Sequence, residues 1–315
     1  MTATTAGPVI TVTGLHKRYG EKIAVHDVGF EVRRGEIFGI LGPNGAGKTT
    51  SVECVTGLRR ADDGEIRVLG LDPVHDGVAL RERVGVQLQE GELPAKLRVG
   101  EALDLYASFY ADPADGRALA AGLGLAEKLD AQYRHLSGGQ KQRLSIALAL
   151  IGKPEIAVLD ELTTGLDPQA RREVWDLIES VRDSGVTIVL VTHFMDEAER
   201  LCDRIALIDG GRVVATDTPA GLAAGARRGQ VLRFRTAQPV APERLESLLG
   251  GLDAVETVEV ARDEVVVTGR EDVVVGVVLA LAEAGVTPVD VEVARTSLED
   301  AFVQLTRSDA KTEEV

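Results

Sequence analysis

The order of apolar and polar residues predicts strands and helices along the chain. Strands are predicted where apolar and polar residues alternate or where apolar residues are continuous, and helices are predicted between them. Alternation predicts two antiparallel strands at residues 9–13 and 23–32 that share the turn at residues 19–22. Largely apolar runs are typical of buried parallel strands, and helices are predicted where apolar residues recur every three or four positions. These runs are 36–41, 155–159 and 186–191, and the helices are 50–56, 168–182 and one that begins near residue 137 and stops before Gly152. The pattern predicts an α/β domain.

The last part of the chain has a different order of elements. Strands are predicted at 230–236, 255–261, 264–268 and 286–293, and helices at 242–249 and 273–284. This βαββαβ order is typical of a small ferredoxin-like α+β domain. A further helix is predicted at 297–305. We therefore expect a first domain at 1–222 with a helical insertion at about 91–152, a linker at 223–229, a second domain at 230–306 and a tail at 307–315. Two helices, at 99–110 and 114–129, are predicted within the insertion.

Composition and net charge argue against several classes of protein. The net charge of −15 argues against broad binding to nucleic acid. The longest apolar run, residues 273–282, is too short to cross a bilayer, and the first residues lack the basic start and apolar core of a secretory signal. The two cysteines, Cys54 and Cys202, are isolated and predict neither a disulfide framework nor a zinc site. We expect a cytosolic location.

A phosphate-binding loop is predicted between the strand at 36–41 and the following helix. It matches G-x-x-x-x-G-K-[ST] in full, with the residues Gly42, Pro43, Asn44, Gly45, Ala46, Gly47, Lys48 and Thr49. The glycines allow backbone N–H groups to approach an anion, and the helix N-terminus adds partial positive charge. Lys48 can reach the phosphates and the Thr49 hydroxyl can ligate Mg²⁺. The structural alternative is a glycine-rich turn.

Two polar sites flank this loop in sequence. Tyr19 is the aromatic closest before the loop, where its ring can stack on a nucleotide base or pack on its own hairpin. Gln87 and Gln89 share one side of a predicted strand that begins at Val84.

A second glycine-rich helix start is formed by Ser137, Gly138, Gly139 and Gln140. Ser137 and Gln140 satisfy the S-x-x-Q pattern of a capping box, which is a purely structural explanation. A cap does not require two glycines after the serine, whereas close backbone approach to a phosphate does. The glycines therefore favour a function in anion binding.

Three polar sites are predicted at strand ends or helix starts after residue 155. Asp160 and Glu161 end one apolar strand, where the aspartate can hold Mg²⁺ and the glutamate can orient or deprotonate an attacking water, although a solvated pair fits the sequence too. Asp167 precedes Pro168, so it can act simply as a helix N-cap. His193 follows the strand 186–191, at the edge of a parallel sheet where ligands bind.

With these motifs in this order, residues 9–220 resemble the nucleotide-binding domain of an ABC transporter. The resemblance implies a P-loop NTPase fold with a mixed sheet core, an antiparallel β subdomain and a helical subdomain, and implies ATP and Mg²⁺ as cofactors. It implies Glu161, His193 and Lys48 as catalytic residues. Thr49, Gln89 and Asp160 are the implied metal ligands, and the implied nucleotide contacts are Tyr19, residues Gly42 to Thr49, Thr50, Gln89, Ser137 to Gln140, Asp167 and His193.

The resemblance also implies an assembly. In the family, two such domains clamp two ATP molecules head to tail, so a single copy implies a homodimer. One departure is Leu162, which follows the catalytic glutamate where the family usually carries proline. The segment Thr296-Ser-Leu-Glu-Asp300 is similar to the C-terminal end of ATPases that serve drug-resistance-type exporters.

Three function classes follow. The first is the ATPase subunit of an exporter of a drug, antibiotic or lipid-like compound, which would lie on the cytoplasmic face of the membrane through a separate permease. The second is an importer ATPase whose ferredoxin-like domain binds a regulatory substrate. The third is a soluble ABC protein outside transport, which the acidic charge and the single ATPase domain disfavour. We favour the exporter.

Overall fold

The computed structural model describes residues 7–87, 93–226, 230–261, 264–270, 272–295, 298–299 and 302. The chain divides into two compact units, Met1–Pro219 and Ala220–Val315. None of the described helices is both long enough and apolar enough to span a membrane.

A mixed sheet forms the centre of the first unit. Strands β1 to β9 are, in chain order, Ile10–Tyr19, Lys22–Val32, Ile37–Leu41, Asp63–Val68, Val84–Gln87, Ile156–Asp160, Thr187–Thr192, Arg204–Asp209 and Arg212–Asp217. The central sheet has the order β5-β6-β7-β3-β8-β9, and only the β8–β9 pairing is antiparallel. Every residue of β3, β6 and β7 is buried, as the continuous apolar runs predicted.

A second, antiparallel sheet of the first unit has the order β2-β1-β4. Its apolar side chains, Val12 and Phe30 among them, join one core cluster with those of the central sheet. The Phe30 ring stacks on that of Phe38 in β3, with 5.5 Å between ring centroids. This contact packs the two sheets against each other just ahead of the phosphate loop.

Helices complete the first unit. Helices α1 to α7 are Lys48–Val55, Gly77–Arg81, Val99–Ala107, Gly116–Gly122, Gly138–Leu150, Pro168–Asp183 and Met195–Leu201. Helix α8, Pro219–Ala226, begins at the last residue of this unit and continues in the second. The predicted insertion contains α3, α4 and α5. Its sequence pattern suggested one helix over 114–129, but α4 ends at Gly122 because Gly124 adopts φ +69°, and a short 3₁₀ turn follows at Ala126–Lys128. Helix α8 extends into residues 223–226, where the alanine-rich sequence had suggested a linker.

The second unit has the predicted βαββαβ order. Its elements are β10 (Gln230–Thr236), α9 (Pro242–Leu249), β11 (Val255–Ala261), β12 (Glu264–Gly269), α10 (Val273–Glu283) and β13 (Pro288–Arg295). The antiparallel sheet has the order β11-β12-β10-β13. Leu232 and Phe234 of β10 pack with Leu245 and Val277 of the helices. The ferredoxin-like prediction is confirmed, while the predicted helix at 297–305 and tail lie largely outside the described residues.

Candidate nucleotide-binding and catalytic site

The phosphate loop runs from the end of β3 to the first turn of α1. Gly47 adopts φ 98° immediately before the helix, and a Cβ at this position would meet the carbonyl oxygen of Ala24 at 2.4 Å. Only glycine therefore fits between the loop and β2 without displacing one of them. The predicted loop lies in the context that its sequence motif requires, between a buried parallel strand and a helix N-terminus.

The ammonium of Lys48 lies over this loop. Its Nζ donates to the carbonyl oxygens of Gly42 at 2.8 Å and Pro43 at 3.0 Å. Burial lowers the pKa of Lys48, and the neighbouring carboxylates of Glu161 and Asp160 oppose this effect. The carboxylates thus help to keep a buried cation beside the loop, where it can contact an anion.

A cavity of about 330 Å³ opens beside the loop. Its lining includes Tyr19, the loop, the start of α1 and Glu161, which places the predicted aromatic at the predicted phosphate site. The Tyr19 ring is 41% exposed and contacts the Arg59 guanidinium, 5.1 Å from the ring centroid. Lys22 and Ala24, which are not among the residues predicted from sequence, also line the cavity. Lys22 pairs with Tyr19 across the hairpin, and the position of the turn at residues 19–22 is the signal that could have found it.

The Asp160 carboxylate faces the Thr49 hydroxyl at the other end of the loop. Asp160 is fully buried, and Thr49 Oγ1 donates to its Oδ2 at 3.2 Å. Burial raises the pKa of Asp160 to about 6, while the Thr49 hydrogen bond lowers it. Its Oδ1 is buried without a hydrogen-bond partner. A buried carboxylate oxygen and a hydroxyl suit a hard cation, so these residues fit the implied Mg²⁺.

Strand β5 contacts the backbone of Asp160 through a glutamine side chain. Gln87, in β5, accepts a hydrogen bond at Oε1 from the Asp160 backbone N–H at 3.1 Å. Gln89, the predicted metal-sensing residue, lies outside the described residues. Strand β5 is therefore tied to Asp160 through Gln87.

Glu161 and His193 meet at the ends of the neighbouring parallel strands β6 and β7. His193 Nδ1 lies 3.1 Å from Glu161 Oε1. Glu161 adopts φ 49°, a left-handed conformation that is uncommon for a residue with a side chain, and its N–H donates to the carbonyl of Val191 at 2.9 Å. Leu162, at the position of the family's proline, is fully buried and leaves Asp160 and Glu161 beside the loop.

Residues Ser137 to Gln140 form the capping box at the start of α5. Ser137 Oγ accepts from the Gln140 N–H at 3.3 Å, and Gln140 Oε1 accepts from the Ser137 N–H at 3.0 Å. Gly138 also allows close packing, because an added Cβ atom would meet Leu166 at 3.2 Å, whereas one at Gly139 would make an ordinary contact with Ala170 at 3.5 Å. None of the four is among the residues that line the phosphate-loop cavity.

Asp167 is the N-cap of α6. Its Oδ1 accepts from the N–H groups of Gln169 and Ala170, both at 2.9 Å, and Pro168 occupies the first helical turn. Asp167 does not line the cavity either. Within one chain, the structure therefore gathers Tyr19, the loop, Asp160, Glu161 and His193, but leaves the second glycine-rich helix start and Asp167 apart from the cavity.

Known proteins identify the class to which this arrangement belongs. The family model described as ABC transporter matches residues 25–164. The daunorubicin resistance ATP-binding protein DrrA3 of Streptomyces coeruleorubidus is 40% identical over 318 residues, which cover 98% of this chain and 99% of that protein. The chain belongs to the ABC transporter ATP-binding proteins.

Two further comparisons concern the first unit. The Nod factor export ATP-binding protein I of Ralstonia nicotianae is 45% identical over 217 residues, 67% of this chain and 68% of that one. The solved structure of cbiO1 from Clostridium perfringens, part of the ABC transporter complex cbiONQ, superposes with a TM-score of 0.63 at 28% identity and covers 70% of this chain and 92% of that chain. The chain is an ATPase and an ATP-binding subunit of an ABC transporter. The two relatives named for daunorubicin resistance and Nod factor export are of the exporter type.

Proposed function

We propose that this ABC ATPase powers export of a drug, antibiotic or lipid-like compound through a separate membrane permease, on the cytoplasmic face of the membrane. The observation that carries the proposal is the full-length similarity to a daunorubicin resistance ATP-binding protein, because it extends through the second unit as well as the ATP-binding unit. A similarity confined to the first unit would be shared by ATPases of many transporter classes.

The chemistry assigned to the site is hydrolysis of ATP. Lys48 would contact the phosphates, and Thr49 and Asp160 would hold Mg²⁺, which would neutralise phosphate charge when bound. Glu161 accepts the proton of the attacking water, and His193, at 3.1 Å from its carboxylate, orients Glu161. Both side chains project from ends of adjacent parallel strands, so a rigid sheet sets their separation.

The same proposal includes a head-to-tail homodimer. Ser137 to Gln140 expose a glycine-rich helix start, yet none of them lines the cavity of its own chain. A second copy that presents this helix start would complete the cavity with further N–H donors. Each ATP would then contact the phosphate loop of one copy and residues 137–140 of the other.

Mixing two inactive variants tests the dimer. Lys48→Ala disables the loop of its own copy, and Ser137→Arg disables the helix start that it offers to its partner. Each variant alone should fail to hydrolyse ATP, but a mixture should recover part of the activity because a mixed dimer has one site with both parts intact. No recovery, despite subunit exchange shown by fluorescence transfer, would contradict the shared site.

Vesicle transport tests export. The chain would be purified together with its membrane partner, reconstituted into inside-out vesicles and supplied with ATP outside. Daunorubicin is the probe, and we expect its accumulation inside the vesicles to require ATP and to cease with Glu161→Gln. Capture of a substrate-binding protein, with movement of its ligand in the opposite direction, would replace the proposal with an importer.

A further inference from the structure

A buried carboxyl group outside the site described above lies on α7, four residues after His193. Glu197, on α7, has no exposed surface, and its Oε1 accepts a hydrogen bond from Trp175 Nε1 at 3.0 Å. Its Oε2 is buried without a hydrogen-bond partner. Burying a carboxyl group in this way is costly, so an apolar side chain would serve packing better.

Two threonines connect this carboxyl to the catalytic segments. Thr163 and Thr192 are both fully buried. Burial raises the pKa of Glu197, and the hydroxyls of Thr192 and Thr163, with the Trp175 indole, act against that rise. Thr163 lies two residues after Glu161, and Thr192 immediately precedes His193. One carboxyl therefore approaches the segments that carry both members of the pair.

The Thr163 contact is incomplete in this arrangement. Thr163 Oγ1 and Glu197 Oε2 are both buried and neither has a hydrogen-bond partner. Thr192 Oγ1 already accepts from the Phe194 N–H at 3.0 Å, which leaves its hydroxyl hydrogen for the carboxyl. Either a proton on Glu197 or a rotation of the Thr163 hydroxyl would join the two unpaired oxygens.

Helix α6 also contacts the residues that follow His193. Trp175 and Arg171 both lie on α6, whose N-cap is Asp167. The Arg171 guanidinium stacks on the Phe194 ring, 4.4 Å from its centroid, and pairs with Asp196 at 3.2 Å. The residues that follow His193 are thus held by α6 through the Trp175–Glu197 bond and through Arg171.

We propose that Glu197 is a positioning residue for hydrolysis, which fixes the Thr163 segment, the end of β7 and α6 relative to one another. Glu161 requires such support because its left-handed backbone persists only where the surroundings hold it. Without the Glu197 contacts, the loop after Glu161 and the loop that carries His193 lose their shared anchor. The inference rests on the proposed function, since it assumes that Glu161 activates water.

The test compares four variants of the full chain. Glu197→Ala should lower kcat about 10- to 100-fold, the usual loss when a supporting hydrogen-bond partner is removed, and leave the Kd for ATP within about twofold. Glu197→Gln should stay within about threefold of wild type, because an amide accepts from Trp175 and donates to Thr163. Trp175→Phe should lower kcat in the same direction. Asp176→Asn is the control, since it removes the charge of the exposed Asp176–Arg200 ion pair between the same two helices.

A second readout separates positioning from stability. The ¹⁵N shifts of the His193 ring report the hydrogen bond to Glu161, so they should change in Glu197→Ala and stay unchanged in Asp176→Asn. A folded Glu197→Ala protein with wild-type kcat and unchanged His193 shifts would overturn the inference. If that variant does not fold, wild-type kcat and His193 shifts in Trp175→Phe would overturn it.

Glu161→Gln, measured in parallel, distinguishes the two proposals. If Glu161→Gln abolishes hydrolysis while the Glu197→Ala and Trp175→Phe variants remain fully active, only the positioning role fails. If Glu161→Gln retains the wild-type rate, the assignment of Glu161 fails and the inference from Glu197 falls with it.

Discussion

Two glycines of the phosphate loop form a matched pair for testing how closely the loop packs on β2. Gly45 and Gly47 both have positive φ, at 82° and 98°, so alanine at either position costs about 1 kcal/mol of backbone strain. A Cβ at Gly45 meets nothing within 4 Å, whereas a Cβ at Gly47 would lie 2.4 Å from the Ala24 carbonyl oxygen. Because a carbon and a carbonyl oxygen approach to about 3.3 Å, the loop and β2 must separate by about 0.9 Å.

Overpacking of this kind adds about 2 kcal/mol, so we expect Gly47→Ala to cost roughly 3 kcal/mol and Gly45→Ala roughly 1 kcal/mol. Urea denaturation followed by Trp175 fluorescence measures this difference. Trp175 is the single tryptophan of the sequence and is buried in the first unit, so the signal reports that unit alone.

With a slope of about 2 kcal/mol per molar urea, the two midpoints should differ by roughly 1 M. Equal midpoints for Gly45→Ala and Gly47→Ala would refute the close packing of Gly47 on β2.

Three further predictions concern charged groups of the first unit. Lys48→Ala should raise the Kd for ATP about 10- to 100-fold by calorimetry, the equivalent of one charge-assisted contact, and an unchanged Kd would contradict its phosphate role. Asp167→Ala should cost about 1 kcal/mol in urea denaturation and Asp167→Asn far less, because asparagine keeps the cap acceptor. The raised pKa of Asp160 means that the folded protein binds a proton more tightly than the unfolded chain, so stability without ligand should fall as pH rises from about 4 to about 6. Asp160→Asn should lack that fall, and parallel stability profiles for the two proteins would contradict the buried charge.

The sequence predicted the site where local pattern and sheet topology agree. Asp160, Glu161 and His193 each end an apolar run, and parallel strands bring their carboxyl ends to one edge, so their proximity followed from order alone. The phosphate loop was predictable for a similar reason, because it depends only on its own residues and on the strand and the helix next to it in sequence.

Contacts that depend on packing between distant elements were not predictable. The sequence around Glu197 is typical of a surface helix, in which charged residues are exposed. Only the packing of α6 against α7 buries Glu197 beside Trp175. The helix predicted at 114–129 ends early, at Gly122. This break was missed because the alanine-rich sequence around Gly122 and Gly124 favours a helix. Helix α2, five residues long, is too short for its periodicity to be read.

The most direct test of the central claim is the rate of ATP hydrolysis by Glu161→Gln, measured together with its affinity for ATP. An amide keeps the shape of the side chain and its contact distance to His193, but cannot accept the proton of water. We therefore expect kcat to fall about 10²- to 10⁴-fold while the Kd for ATP is unchanged. A Glu161→Gln protein that retains most of the wild-type rate would contradict the assignment of Glu161 as the base.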